Sequence, residues 1–274
     1  MDKFQLSLLY TINGIGATSG LIFKDNYLYM ISDNSSFLYE YQIAEKQLNK
    51  IELFENSQEN IAKKDKLDFE SITLFNNKLY LFGSGSTKKR DHRFIYNLES
   101  KEIKEKDLSK LYKKLKDFAS ISDDELNIEG AIIDNENYYF FQRGNGENSK
   151  NGLFIYNKAT KRIQFTLMKL QKINDIEATF TDAILVENTV YFLAAAENTT
   201  STYNDGEVLG SFIGSFNLKD LEIHFIQKIS GTNKFEGLTL YNKSETEIEF
   251  LVCEDNDTEE LVSGIYKLTL NMGS

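Results

Sequence analysis

Residues Ile128–Asn157, IEGAIIDNENYYFFQRGNGENSKNGLFIYN, decide the fold. An apolar run, Ala131–Ile133, ends at a turn, Asp134–Asn137, and a second run, Tyr138–Phe141, follows. A polar, glycine-bearing loop, Gln142–Gly152, leads to a third run, Leu153–Tyr156. Short runs rich in Ile, Tyr and Phe between Asn/Asp/Gly clusters read as antiparallel strands. An outer strand is expected at Arg162–Leu170.

The same unit recurs along the chain. Before it come Ser19–Leu21, Tyr27–Ile31, Phe37–Ile43 and a strand near Leu48–Phe54. A charged connector, Glu55–Lys66, leads to DFESITLF, Lys78–Phe82 and Arg93–Leu98. After it come TFTDAILV, Thr189–Glu197, Ser211–Phe216 and Glu222–Ile229, then Phe235–Tyr241, Glu247–Asp255 and Ser263–Leu270. The equivalent residues Ser19, Glu70, Glu129, Thr181 and Glu236 are spaced by 51, 59, 52 and 55 positions. Such repetition of a four-strand unit predicts an all-β, five-bladed β-propeller, one domain over residues 1–274. The fifth unit stops one strand short, and Phe4–Ile12 is otherwise unpaired. Placing that segment in parallel position beside Ile265–Leu270 closes the ring and hides two sheet edges. Leu108, Leu111, Tyr112, Leu115 and Phe118 follow a helical period, so one short helix is inserted. Ser122 and Glu125 make a capping-box pattern for a further helical turn.

Composition narrows the function. A hydrophobic share of 41% suffices for a packed core. A net charge of -11 argues against nucleic acid or an anionic membrane as partner and favours cations or small molecules. Cys253, the single cysteine, precludes an intrachain disulfide and reads as a buried strand residue. The two histidines, His92 and His224, lie far apart, against a histidine-rich zinc site. No apolar stretch reaches the roughly 18 residues of a membrane helix. The chain is expected to be a cytoplasmic monomer, or periplasmic or secreted if a leader has been removed.

In a propeller the innermost strand of each blade lines the central channel, so the five equivalent residues ring one mouth. The loops after the second strands bring Asp33, Arg143, Glu197, Glu254 and Asp255 to that mouth. Three glutamates in a narrow channel either raise one another's pKa or recruit a cation. Oxygen ligands from Ser19, Glu70, Glu129, Thr181 and Glu236, without His or Cys, suit Ca²⁺. The alternative is that each glutamate bonds neighbouring backbone or a basic residue. Arg143 is either a structural ion-pair partner or an anion-binding fork. Asp255, Asp257 and Glu259 alternate as in a calcium loop but lack its glycine, and read as a polar hairpin. The glycine pairs of Gly83–Ser86 and Arg143–Gly146 read as hairpin turns.

The blade openings SGLIF, FESITLF, IEGAII, FTDAIL and FEGLTL resemble those of the calcium-activated nucleotidases (apyrases). They are also similar to those of the phytase-like and esterase-like bacterial propellers. The resemblance implies one Ca²⁺ in the central channel, held by Ser19, Glu70, Glu129, Thr181 and Glu236. Two functions follow. One is a metal-dependent hydrolase of phosphate esters or anhydrides, acting on a nucleotide or other phosphoester. There Arg143 would grip the phosphoryl group and Asp33 or Glu197 would serve as general base. The other is a non-catalytic propeller with structural calcium and a protein or small-molecule partner.

Overall fold

The computed structural model describes residues 4–199, 201, 206–255 and 260–271. Asp257 and Glu259 of the alternating acidic hairpin lie outside the described residues. Five antiparallel four-stranded sheets follow one another around a ring. Blade 1 contains Thr18–Lys24, Tyr27–Ser32, Phe37–Gln42 and Gln47–Glu52, and blade 2 contains Phe69–Phe75, Lys78–Gly83, His92–Asn97 and Ile103–Asp107. Blade 3 contains Ile128–Ile133, Asn137–Gln142, Gly152–Asn157 and Ile163–Leu167. Blade 4 contains Thr179–Val186, Thr189–Asn198, Glu207–Asn217 and Ile223–Ser230. Blade 5 contains Phe235–Lys243, Glu247–Glu254 and Val262–Asn271, and takes its outer strand from Phe4–Asn13 at the other end of the chain. That strand lies where expected but runs antiparallel instead of parallel, continuing the up-and-down alternation of the blade, from Phe4 opposite Leu270 to Asn13 opposite Val262, with an irregularity at Leu9.

Turn chemistry fixes the first hairpins. Asp25–Asn26 and Asn76–Asn77 carry positive φ at both positions, the two-residue geometry whose twist matches that of paired strands. Packing then decides the assembly. One apolar cluster fills each blade interface, such as Ile31, Leu38, Phe69 and Leu81 between blades 1 and 2. Phe141, Phe180, Phe192 and Phe216 do the same between blades 3 and 4. The cluster of Ile12, Leu21, Met30, Leu251, Cys253 and Ile265 joins blade 5 to blade 1, so the closing strand is tied into the last interface. Cys253 is buried and its thiol faces the carbonyl of Thr18, 3.3 Å away.

Helix α1, Ser109–Ala119, connects blade 2 to blade 3 and buries Tyr112 and Leu115 against Phe82, Phe140 and Phe154. Four local features differ from expectation. The Ser122–Glu125 side-chain bond forms at 2.7 Å, yet it closes a turn instead of starting a helix. A short 3-10 turn, Lys88–Arg90, follows the Gly83–Ser86 segment. The outer strand of blade 2, IKEKD, has one apolar residue and so carries no strand period; its charges suit an exposed sheet edge. A small hairpin, Lys172–Ile173 with Ile176–Glu177, lies between blades 3 and 4.

Candidate functional site

Each innermost strand carries a β-bulge at the same place. The pairing jumps from Thr18 to Gly20, Phe69 to Ser71, Ile128 to Gly130, Phe180 to Asp182 and Phe235 to Gly237. The residues left out of the ladder are Ser19, Glu70, Glu129, Thr181 and Glu236. A bulge adds one residue to a strand and re-aims its side chain, and bulges concentrate beside functional sites. The sequence repeat therefore marks a repeated backbone irregularity as well as a ring of oxygens. Small neighbours keep the strands close there: a Cβ on Gly237 would meet the Cα of Gly20 in blade 1 at 2.9 Å.

The five side chains do unequal work. Ser19 and Thr181 donate their hydroxyls to the carbonyls of Phe69 and Phe235, at 2.5 and 2.7 Å, and so stitch each blade to the next. Glu129 accepts from Asn127 at 2.7 Å and from Arg143 at 3.2 Å. Glu236 lies 2.8 Å from the ammonium of Lys234 and 3.7 Å from Arg143. Arg143 also pairs with Glu197, so one guanidinium from blade 3 reaches carboxylates of blades 3, 4 and 5. Lys234 continues the network to Asp255 at 3.4 Å. Across the mouth, Lys66 pairs with Asp33 and, at 2.8 Å, with Asp68, which also takes Arg90 at 2.7 Å and Ser84 at 2.5 Å. Glu254 turns away, to Asn233 at 2.8 Å and Tyr266 at 3.0 Å.

Glu70 sits at the seam between these two networks. Its carboxylate, on a half-buried residue, makes no side-chain hydrogen bond and no salt bridge among the described residues, and the ammonium of Lys66 attracts it only at longer range. Burial pushes its carboxyl well above the usual range, and the charges of Asp68, Glu129, Glu236 and Asp33 push further. Single ligand atoms of Asp33, Asp68 and Glu70 lie within 4.8 Å of one another. Burial also raises Glu236 well above its ordinary value against the pull of Lys234, and raises Glu129 against Arg143. Asp33 is raised to about 6 by burial despite Lys66. Asp68 runs the other way, because Lys66 and Arg90 outweigh its burial. Two acidic oxygens, Glu129 Oε2 and Asp33 Oδ1, are buried without a hydrogen-bond partner, as is Nε of Arg143. Asp33, Asp68, Glu70, Glu129, Glu197, Glu236 and Asp255 face Lys66, Arg90, Arg143 and Lys234. The formal excess is thus negative.

Lys66, Asp68, Arg90, Asn127 and Lys234 were not singled out in the sequence. Asp68, Asn127 and Lys234 stand two places before the ring glutamates of their blades. The backbone N–H groups of Ser84, Arg143 and Asp255 bond to the carbonyls of Asp68, Asn127 and Lys234 at 3.0, 2.8 and 3.0 Å. The repeat, displaced by two residues, is the signal that locates them.

The fold and this mouth define a five-bladed β-propeller whose channel entrance is lined by acidic and basic side chains. Residues 14–270 match a family of unknown function, DUF6929, and the chain belongs to that family. No curated protein sequence matches the chain. Among solved structures it is similar to the major allergen Mala s 1 of Malassezia sympodialis, with 12% identity, 96% of each chain covered and a TM-score of 0.59. It is also similar to the glutaminyl cyclase of Myxococcus xanthus, with 9% identity, 98% of this chain and 97% of that one covered, and a TM-score of 0.53. At such identities the likeness is one of fold.

Proposed function

We propose that the channel mouth binds a hard divalent cation, Ca²⁺ before others, with Glu70 as its first ligand. The observation that carries this reading is an unpartnered Glu70 beside the orphaned Oε2 of buried Glu129, in a cluster with excess negative charge. Carboxylate oxygens of this number suit a calcium ion's 6–8 ligands better than a strict octahedron. Asp33 and Asp68 can join only as Lys66 moves aside, since its ammonium already lies between them. Ser19 and Thr181 are spent on backbone carbonyls as donors, which leaves their lone pairs free to face a cation.

A bound cation of this kind would supply polarisation of a phosphoryl oxygen and orient water, so hydrolysis of phosphate esters or anhydrides is the catalytic form of the proposal. Glu197 or Asp33 would accept the water's proton. Engagement of Arg143 favours a second reading, a structural cation in a binding propeller. Both its terminal nitrogens already serve carboxylates, and an incoming phosphate would have to displace one. Titration calorimetry with CaCl₂ tests the site: Glu70→Gln and Glu129→Gln should each weaken binding, and Ca²⁺ should raise the melting temperature of the unmodified protein. No heat at millimolar Ca²⁺ would leave internal lysines and arginines as the only cations there. Nucleoside di- and triphosphates, p-nitrophenyl phosphate and simple esters, assayed with Ca²⁺ and with chelator, separate the two readings. Uniform inactivity with intact Ca²⁺ binding selects the structural cation.

A further inference from the structure

A second charged recess lies away from the channel, between blades 2 and 3 under helix α1. Its volume is about 350 Å³, within the range of small-molecule sites. Arg93, from the third strand of blade 2, forms its floor and is 7% exposed. The guanidinium lies over the rings of Tyr80, Phe82 and Tyr138, at 5.4, 6.0 and 5.8 Å. One terminal nitrogen donates to the Tyr138 hydroxyl at 2.8 Å, while Nε is buried with no hydrogen-bond partner. No carboxylate among the described residues pairs with Arg93. A buried, permanently charged group held only by ring faces and a phenol is under-compensated.

The walls repeat the imbalance. Lys106, Lys110, Lys114, Lys158 and Lys161 line the recess, and among the described residues none of them makes a salt bridge. Lys158 and Lys161 instead reach main-chain carbonyls, those of Asp134 and Lys158. The single acid in the lining, Asp107, accepts from the backbone N–H of Ser109 at 2.7 Å. The first turn of α1, which supplies Lys110 and Leu111, contains no acidic residue, and Asp107 is engaged at the first N–H of the helix. Six cations against one acid stand out in a chain of net charge -11.

We propose that this recess is a binding site for a small molecule carrying one or more phosphate groups, with Arg93 as the buried anchor and Lys110 and Lys114 as the mobile clamp. A planar guanidinium on the floor grips a phosphate in a fixed direction, while the lysines neutralise it as point charges. The recess is concave and walled by Tyr138 and Tyr156, whose rings are near parallel at 17°, which suits a compact anion better than an extended surface.

Inorganic pyrophosphate is the probe, titrated calorimetrically at low salt with EDTA present, so that no channel cation takes part. One equivalent should bind, and affinity should fall as salt rises. The double variant Lys110→Glu/Lys114→Glu changes exposed side chains and should keep its melting temperature while weakening binding at least about tenfold. Arg93→Gln should abolish it, and Glu70→Gln should leave it unchanged. Absence of binding by pyrophosphate and ATP at millimolar concentration would overturn the proposal. So would equal affinity in the double variant, loss in Glu70→Gln, or capture by anionic vesicles without pyrophosphate binding.

Discussion

Arg143→Met tests whether the mouth is organised around one buried cation. Arg143 is 4% exposed and pairs with Glu129 and Glu197, with Glu236 at 3.7 Å. At the 3.2 Å Glu129 contact, an effective dielectric of 20 gives about 5 kcal/mol of attraction, partly offset by desolvation. Removing one partner strands the others, and such losses run to about 3–5 kcal/mol. Glu236 keeps Lys234, so the cost falls on Glu129 and Glu197. At about 2 °C per kcal/mol for a chain of this size, the melting temperature should drop by about 6–10 °C. The loss should depend on pH. Burial already raises Glu129, and without Arg143 its folded-state pKa rises further above the unfolded value. The folded variant then holds more protons than the unfolded chain, and its stability falls as pH rises through that window. Scanning calorimetry of both proteins from pH 5 to 8, with chelator present, should show the deficit largest at pH 8. A deficit under about 1 kcal/mol, or one independent of pH, would refute the structural role and return Arg143 to the anion-binding fork.

Two further outcomes follow from the geometry. Deleting residues 1–12 should leave the strand Val262–Asn271 as an open edge and remove Ile12 from the last blade interface, so light scattering should show aggregation; a soluble monomer with unchanged melting would overturn the closure argument. Asp91, 7% exposed and with its Oδ1 unpartnered, is pushed up to about 6 by burial, against Lys116 and with help from Asp107. A raised carboxyl costs stability as pH climbs from about 4 to 6 and above, so Asp91→Asn should stabilise by about 1–3 kcal/mol at pH 7.5 and hardly at all at pH 4. Equal effects at both pH values would contradict it.

The sequence by itself determined the blade count, the ring-closing strand and the level of the ring. These depend on local matters: alternating apolar runs, Asn-rich turns that accept positive φ, and near-equal spacing. No helix among the described residues is long and apolar enough to cross a membrane, in keeping with the absence of a long apolar run. Ser19, Glu70, Glu129, Thr181 and Glu236 do share one level, because one bulge recurs at all five positions. Only the tertiary structure decided what they face. Lys66, Lys234 and Arg90 read in sequence as ordinary charges in connectors, yet the ring closure turns them inward to meet acids from their own and neighbouring blades. The same holds for Arg93, whose partner Tyr138 in blade 3 lies 45 positions along the chain yet meets it across the blade interface. Ion pairing is set by distance across blade interfaces, and a strand pattern encodes which face a side chain takes but not which charge of another blade it will meet.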